Sequence, residues 1–253
     1  MRLLALATAG PSASVGFADG MTAPVVVPLG DGTERGRGIL REIDRLLEAH
    51  GVARRNLEGV AVEVGPGSFT GVRVGVATAK AIALGLSIPI VGVVSLDALA
   101  LAAGPCDREI LALRDARSGE AFFAIYRATE SPPDGSSDAR PVALPKRLQK
   151  PTRGPAALIR AYLEERGISK VLAVGEDAER LAITLPLAGL LAGVRTPAVT
   201  PVEVLAWARP RFENGTTDDS DALAPLYLQP STPEKVLAEK MLAEKATRPG
   251  HSP

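Results

Sequence analysis

The chain has 253 residues, 46% of them hydrophobic and 23% charged, with 29 Lys and Arg balanced by 29 Asp and Glu. That length can bury one large core or two smaller ones, and a formal net charge of zero removes the general attraction to polyanions that marks a basic nucleic-acid-binding domain. A single cysteine, Cys106, excludes an internal disulfide and suits a reducing compartment; with no histidine near it in sequence, it reads as a small core residue.

Residues 3–7, 12–18 and 22–27 are short apolar runs separated by Gly10-Pro11 and Asp19-Gly20, the turn chemistry of an antiparallel meander. The first follows an arginine, but Thr8, Gly10 and Pro11 cut it below the about 7–15 apolar residues of a secretory signal core. Ile39, Leu40, Ile43, Leu46 and Leu47 recur at helical spacing through 39–50, and Gly51 stops that helix. Residues 60–64 and 88–94 are bounded, β-branched runs of the buried-strand type, with a long apolar helix between them. Thr78, Lys80, Ser87 and Pro89 interrupt 74–94, so no stretch reaches the about 18 uninterrupted apolar residues of a membrane span. Three antiparallel strands followed by alternating helices and strands predict a mixed sheet covered by helices.

The second half repeats this grammar less clearly. Residues 109–113 and 121–127 read as strands paired around Ser118-Gly119, followed by a Pro/Gly/Ser-rich loop at 131–137. A helix at 155–166 and a strand at 170–174 come next, then a helix at 201–212 capped by Thr200 with Pro201 in its first turn. Arg140, Lys146, Arg147, Lys150 and Arg153 form a basic stretch that reads as a solvated loop surface, with contact to RNA phosphates as the weaker alternative. Glu-Lys pairs recurring between apolar residues predict a short amphipathic helix within 232–253, ending in a disordered tail.

The run Gly65-Pro66-Gly67-Ser68-Phe69-Thr70-Gly71-Val72-Arg73-Val74-Gly75-Val76-Ala77-Thr78-Ala79-Lys80 joins the 60–64 strand to the long helix. Gly65 and Gly67 can take positive φ, and Ser68 or Thr70 can cap the helix. Gly71, Gly75, Ala79 and Ala83 recur every fourth residue as a ridge without bulk, opposite Val72, Val76 and Ile82. A helix apolar nearly all round is buried on two sides. The second side is either ordinary core or another subunit, and Arg73 and Lys80 either flank that subunit contact or are simply solvated. A P-loop would need Gly-Lys-Ser/Thr where Gly71-Val72-Arg73 stands, and a hydrolase elbow would need glycines where Pro66 and Thr70 flank Ser68.

The run from Gly65, its continuation to Ala100, the segment Asp115-Ala116-Arg117-Ser118-Gly119-Glu120 and the later Ala224-Pro225-Leu226-Tyr227-Leu228 resemble the bacterial TsaB (YeaZ) family. The resemblance is dense over about residues 57–126, and Gln229 stands where that family has arginine. It implies an α/β actin/Hsp70-like (ribonuclease-H-like) fold with two mixed-sheet subdomains. We place these at 1–104, carrying the partner-binding helices, and 105–231, with a tail at 232–253.

The same resemblance implies a non-catalytic scaffold in tRNA threonylcarbamoyladenosine synthesis. Such a subunit pairs with the transferase TsaD and the ATPase TsaE, forms a homodimer when alone, touches tRNA through the complex, and works in the cytoplasm away from membranes. The expected interface residues are Gly71, Val72, Arg73, Gly75, Val76, Ala79 and Lys80, with Ile39 and Ile43 on the preceding helix. In the actin-like superfamily the first strand supplies a metal-binding aspartate and its hairpin holds phosphate. Here Ala7 replaces the carboxylate, leaving Thr8 and Ser12 as the remnant of a phosphate loop. The related transferase binds metal through histidines, whereas this chain has only His50 and His251. No catalytic residue, metal or cofactor is therefore expected, although ATP or ADP can still be accommodated at a complex interface. A degenerate kinase or glycopeptidase-like enzyme and a homodimer serving another partner are the alternatives.

Overall fold

The computed structural model describes residues 1–30, 35–128 and 143–228. The 131–137 loop, Arg140, His251 and the 232–253 tail lie outside the described residues, as do the side chains of 35–37.

In the first half, strands β1 (Arg2–Ala7), β2 (Ser14–Asp19) and β3 (Val25–Pro28) are followed by helix α1 (Arg35–Ala49), strand β4 (Gly59–Gly65), helix α2 (Phe69–Leu86), strand β5 (Ile90–Val94) and helix α3 (Ser95–Ala102). The second half contains strands β6 (Glu109–Arg117), β7 (Glu120–Arg127) and β8 (Lys146–Gly154), then helix α4 (Ala156–Glu165), strand β9 (Val171–Val174), helix α5 (Ala178–Thr184), strand β10 (Leu191–Arg195) and helix α6 (Pro201–Glu213). The two sheets have equivalent orders, β3-β2-β1-β4-β5 and β8-β7-β6-β9-β10, each an antiparallel meander continued by parallel strands.

The sheets stack with helices in between. Leu4, Leu6, Val60 and Val62 of the first sheet pack outward against Ile39 and Ile43 of α1 and Val72, Val76 and Ala79 of α2. Leu111, Leu113, Phe123 and Ile125 of the second sheet pack against α4 and α5 on the opposite outside. The inner faces share one core with α3 and α6, where Leu3, Ala61 and Val91 meet Leu96, Leu99, Leu205 and Phe212. Helix α6 packs chiefly on the first sheet and α3 on the second as well as its own, so each half lends its last helix to the other. This middle layer buries apolar side chains worth about 1.5–3 kcal/mol each.

Several sequence expectations need correction. The stretch around Lys146–Arg153 is an edge strand rather than a loop; Pro151 and its cations are tolerated because one edge faces away from β7. Helices α3 and α5 and strand β10 were not anticipated. Cys106 is half-buried, with its thiol donating to the Arg108 carbonyl oxygen at 3.4 Å, and is not a core residue. Helix α2 is long and apolar enough by length and composition to cross a membrane, but its buried face is part of the core just described. Thr200 caps α6 as expected: its hydroxyl accepts from Val202 N–H at 3.2 Å, while Glu203 accepts from Thr200 N–H at 2.8 Å.

Candidate functional site

The glycine run positions α2 by contact with the first hairpin. Gly65 has φ +97 and is followed by a cis bond to Pro66; Ser68 is the N-cap, its hydroxyl accepting from Gly71 N–H at 3.3 Å. A Cβ on Gly71 would overlap the Thr8 carbonyl oxygen, and one on Gly75 would overlap the Thr8 hydroxyl. The small ridge therefore receives the β1–β2 turn of its own chain. Gly71, Val72, Gly75, Val76 and Ala79 are all buried, as are Ile39 and Ile43 on α1. These seven residues, expected at a subunit interface, are packed against their own chain, where their shape complementarity is used. Sequence periodicity located the stripe but could not say what fills it.

Arg73 and Lys80 are engaged by the C-terminal segment. Arg73 Nε donates to the Tyr227 hydroxyl at 2.7 Å, with its guanidinium 3.7 Å above the Phe69 ring centre. Lys80 Nζ donates to the carbonyl oxygens of Asp221 and Leu223 at 3.1 and 3.0 Å. Leu226 N–H donates to the Val64 carbonyl at 2.8 Å, so 218–228 runs along β4 and α2. The surface that α2 leaves free is a different stripe: Phe69, Thr70, Arg73, Ala77, Ala81, Leu84 and Gly85 are exposed, and α1 adds Leu40. Phe69, Leu84 and Leu40 are each at least half exposed, at 57%, 52% and 50%. The signal that could have found this stripe is the second i, i+4 series, Ala77-Ala81-Gly85, offset by two residues from the first.

A cleft of about 720 Å³ opens at one edge between the two halves, lined by Ala9, Gly10, Gly67, Ser68, Arg114 and Glu176 among others. Thr8 is buried with its hydroxyl unpartnered, and Ser12 is exposed in the turn. Inside the cleft Arg114 donates to Glu63 at 3.0 Å and lies 3.8 Å from Glu176. Glu63 also accepts from Ala9 N–H at 2.9 Å. Burial pushes the Glu176 carboxyl above the usual carboxylate range; Arg114 opposes this and Glu63 reinforces it.

The polar residues of the Asp115–Glu120 segment tie their hairpin to α5 and β8. Asp115 accepts from Arg117 N–H at 2.8 Å and from Arg180 at 3.0 Å, and Glu120 accepts from Arg153 at 2.7 Å. Arg147 pairs with Asp97, which also accepts from the Tyr126 hydroxyl at 2.7 Å; two of the five basic residues are thus tied within the chain. Burial and the neighbouring Asp97 push the Tyr126 hydroxyl well above its ordinary range. His50 lies at the end of α1, with Nδ1 2.8 Å from the Leu46 carbonyl oxygen. Among the described residues, no three His, Cys, Asp or Glu side chains are grouped to hold a metal ion.

A protein-family model described as TsaD, tRNA N6-adenosine threonylcarbamoyltransferase, matches residues 26–151. An Escherichia coli protein named tRNA threonylcarbamoyladenosine biosynthesis protein TsaB is 35% identical over 133 residues, which cover 52% of this chain and 57% of that relative. The Bacillus subtilis protein of the same name is 40% identical over 85 residues, 34% of this chain and 37% of the relative. The matches thus span little more than half the length of the curated relatives at most. A solved structure named YeaZ from Pseudomonas aeruginosa superposes with a TM-score of 0.71 at 20% identity, covering 90% of this chain and 99% of that one, which establishes the shared actin-like fold.

Proposed function

The chain belongs to the TsaB (YeaZ) family, and from that premise we propose that it is a non-catalytic subunit in the synthesis of N6-threonylcarbamoyladenosine on tRNA. It pairs with a TsaD-like transferase, activates it and helps recruit a TsaE-like ATPase, working in the cytoplasm and reaching tRNA mainly through the complex. Residues 1–104 carry the partner-binding helices, 105–231 form the supporting subdomain, and 232–253 are a tail. When alone the chain pairs with itself, and ATP or ADP can be accommodated at the complex interface.

The observation that carries the interface is the outward stripe of α2, where Ala77, Ala81 and Gly85 leave a low track between exposed Phe69 and Leu84. Small residues let a partner helix approach closely, while Phe69 and Arg73 provide aromatic and guanidinium anchors and Leu84 adds apolar area beside them. Reconstitution with a TsaD-like transferase, a TsaE-like ATPase, the threonylcarbamoyl-adenylate donor and tRNA tests the reading. Ala81→Arg should leave the fold intact and abolish both transferase binding and modified adenosine; a variant that still binds and supports modification removes α2 from the interface.

A degenerate nucleotide-binding enzyme is the second reading, favoured by the cleft between the sheets. Under the first reading the purified chain releases no phosphate from ATP above background. Tight magnesium-dependent ATP binding by calorimetry, together with steady phosphate release, would install the second.

A further inference from the structure

Two charged side chains of the second sheet reach across the cleft into notches on the first. Arg114 leaves β6 and its guanidinium lies against Gly67; a methyl group there would sit 2.6 Å from one terminal nitrogen. Glu176, just beyond β9, lies against Gly10, where a methyl would sit 2.6 Å from a carboxylate oxygen. Neither glycine has positive φ, so close approach, and not backbone freedom, is what these positions provide. Glu63 of β4 completes the arrangement from the first sheet: one carboxylate oxygen accepts from Arg114 and the other from Ala9 N–H. Arg114 and Glu63 are almost fully buried, with side chains 5% and 1% exposed, and Glu176 is 12% exposed.

We propose that Arg114, seated in the Gly67 notch and clasped by Glu63, together with Glu176 beside it in the Gly10 notch, forms a latch that keeps the cleft edge of the two sheets closed. The physical argument rests on where the groups sit. A buried ion pair contributes little net stability compared with an apolar core of the same volume, yet leaving one member unpaired is strongly unfavourable. Separating the sheets would break this pair and exchange its charge-assisted hydrogen bond for hydration, because its members belong to opposite sheets, whereas removing Arg114 alone would leave Glu63 buried without its cation. The latch therefore acts on the opening coordinate rather than on either sheet's own fold. Its guanidinium also occupies the space between the β1–β2 turn and the start of α2, so the closed state comes with its own cationic filling. The second tie, Asp97 to Tyr126 and Arg147, lies where α3 meets β7 and β8, and supplies a pivot that does not depend on the latch.

The test uses the full chain with Cys106→Ser, spin-labelled at Arg55→Cys beside the first sheet and Ile183→Cys on α5. The wild-type latch should give one narrow distance distribution. Arg114→Ala should shift it to longer separations and broaden it, with amide exchange at Ala9, Gly10, Gly67 and Ser68 faster by about tenfold or more, as for loss of a charge-assisted hydrogen bond. Millimolar guanidinium chloride, but not sodium chloride, should restore the narrow distribution by refilling the vacated site. If Arg114→Ala does not fold, the double variant Glu63→Gln with Arg114→Met removes both charges at similar volume; it should fold and open. A folded double variant that keeps the wild-type distribution and exchange overturns the latch, and a double variant that cannot fold overturns it too, by making the triad part of the core.

Discussion

The two faces of α2 carry nearly the same amino acids and do opposite things. Gly71, Gly75 and Ala79 sit inward, pressed against Thr8 and the first sheet, whereas Ala77, Ala81 and Gly85 face solvent. A run of small residues specifies close approach but not the approaching object. On the inner face the object is the chain's own hairpin. On the outer face a partner is proposed because Phe69, Leu84 and Leu40 stand exposed around the track.

The strongest way to break this comparison is Gly75→Arg. A long charged side chain would be driven into the Thr8 turn, so the variant should lose at least about 3–5 kcal/mol or fail to fold, as read by chemical denaturation. Native stability with lost self-association would instead mean that the inner ridge faces outward in solution. Leu84→Arg on the outer face should change the unfolding free energy by less than about 0.5 kcal/mol, as surface substitutions do, while lowering transferase binding by tenfold or more in a calorimetric titration.

Arg73→Ala lies between the faces. It removes the stacking on Phe69 and the bond to Tyr227, and should cost about 1 kcal/mol together with faster exchange in 226–228. The smallest effect concerns pH. The Glu176 carboxyl is raised in the folded state, so the folded chain binds that proton more readily than the unfolded one, and stability falls as pH rises from the ordinary carboxylate range through the raised value. Glu176→Gln should remove this slope, which urea midpoints measured across that window would show; an unchanged slope would assign it to other groups.

How much of this was legible depended on whether a residue's partner was close in sequence. The Thr200 cap, the Gly51 stop, the strand ahead of Gly65 and the Ser118-Gly119 hairpin follow from local chemistry, and the structure has them. Ile39 and Ile43 show the limit of periodicity: it gives an apolar face without saying that the neighbouring sheet covers it. Strand β8 was hidden because an edge strand with Pro151 and four cations has a solvent-dominated pattern. Arg114 carried no signal at all, since its meaning depends on Glu63, 51 residues earlier, and on Gly67. The same holds for Arg73 and Tyr227, 154 residues apart.

The exchange of last helices between the halves has a consequence for how the molecule is made. The inner face of the first sheet, with Leu3, Ala61 and Val91, is sealed by Leu205 and Phe212, which a ribosome delivers some two hundred residues after the first strand. The early half must wait with a greasy surface uncovered, a state that attracts chaperones and favours slow, long-range assembly. A shortened messenger ending near residue 104 would therefore yield not a spare subdomain but an aggregate.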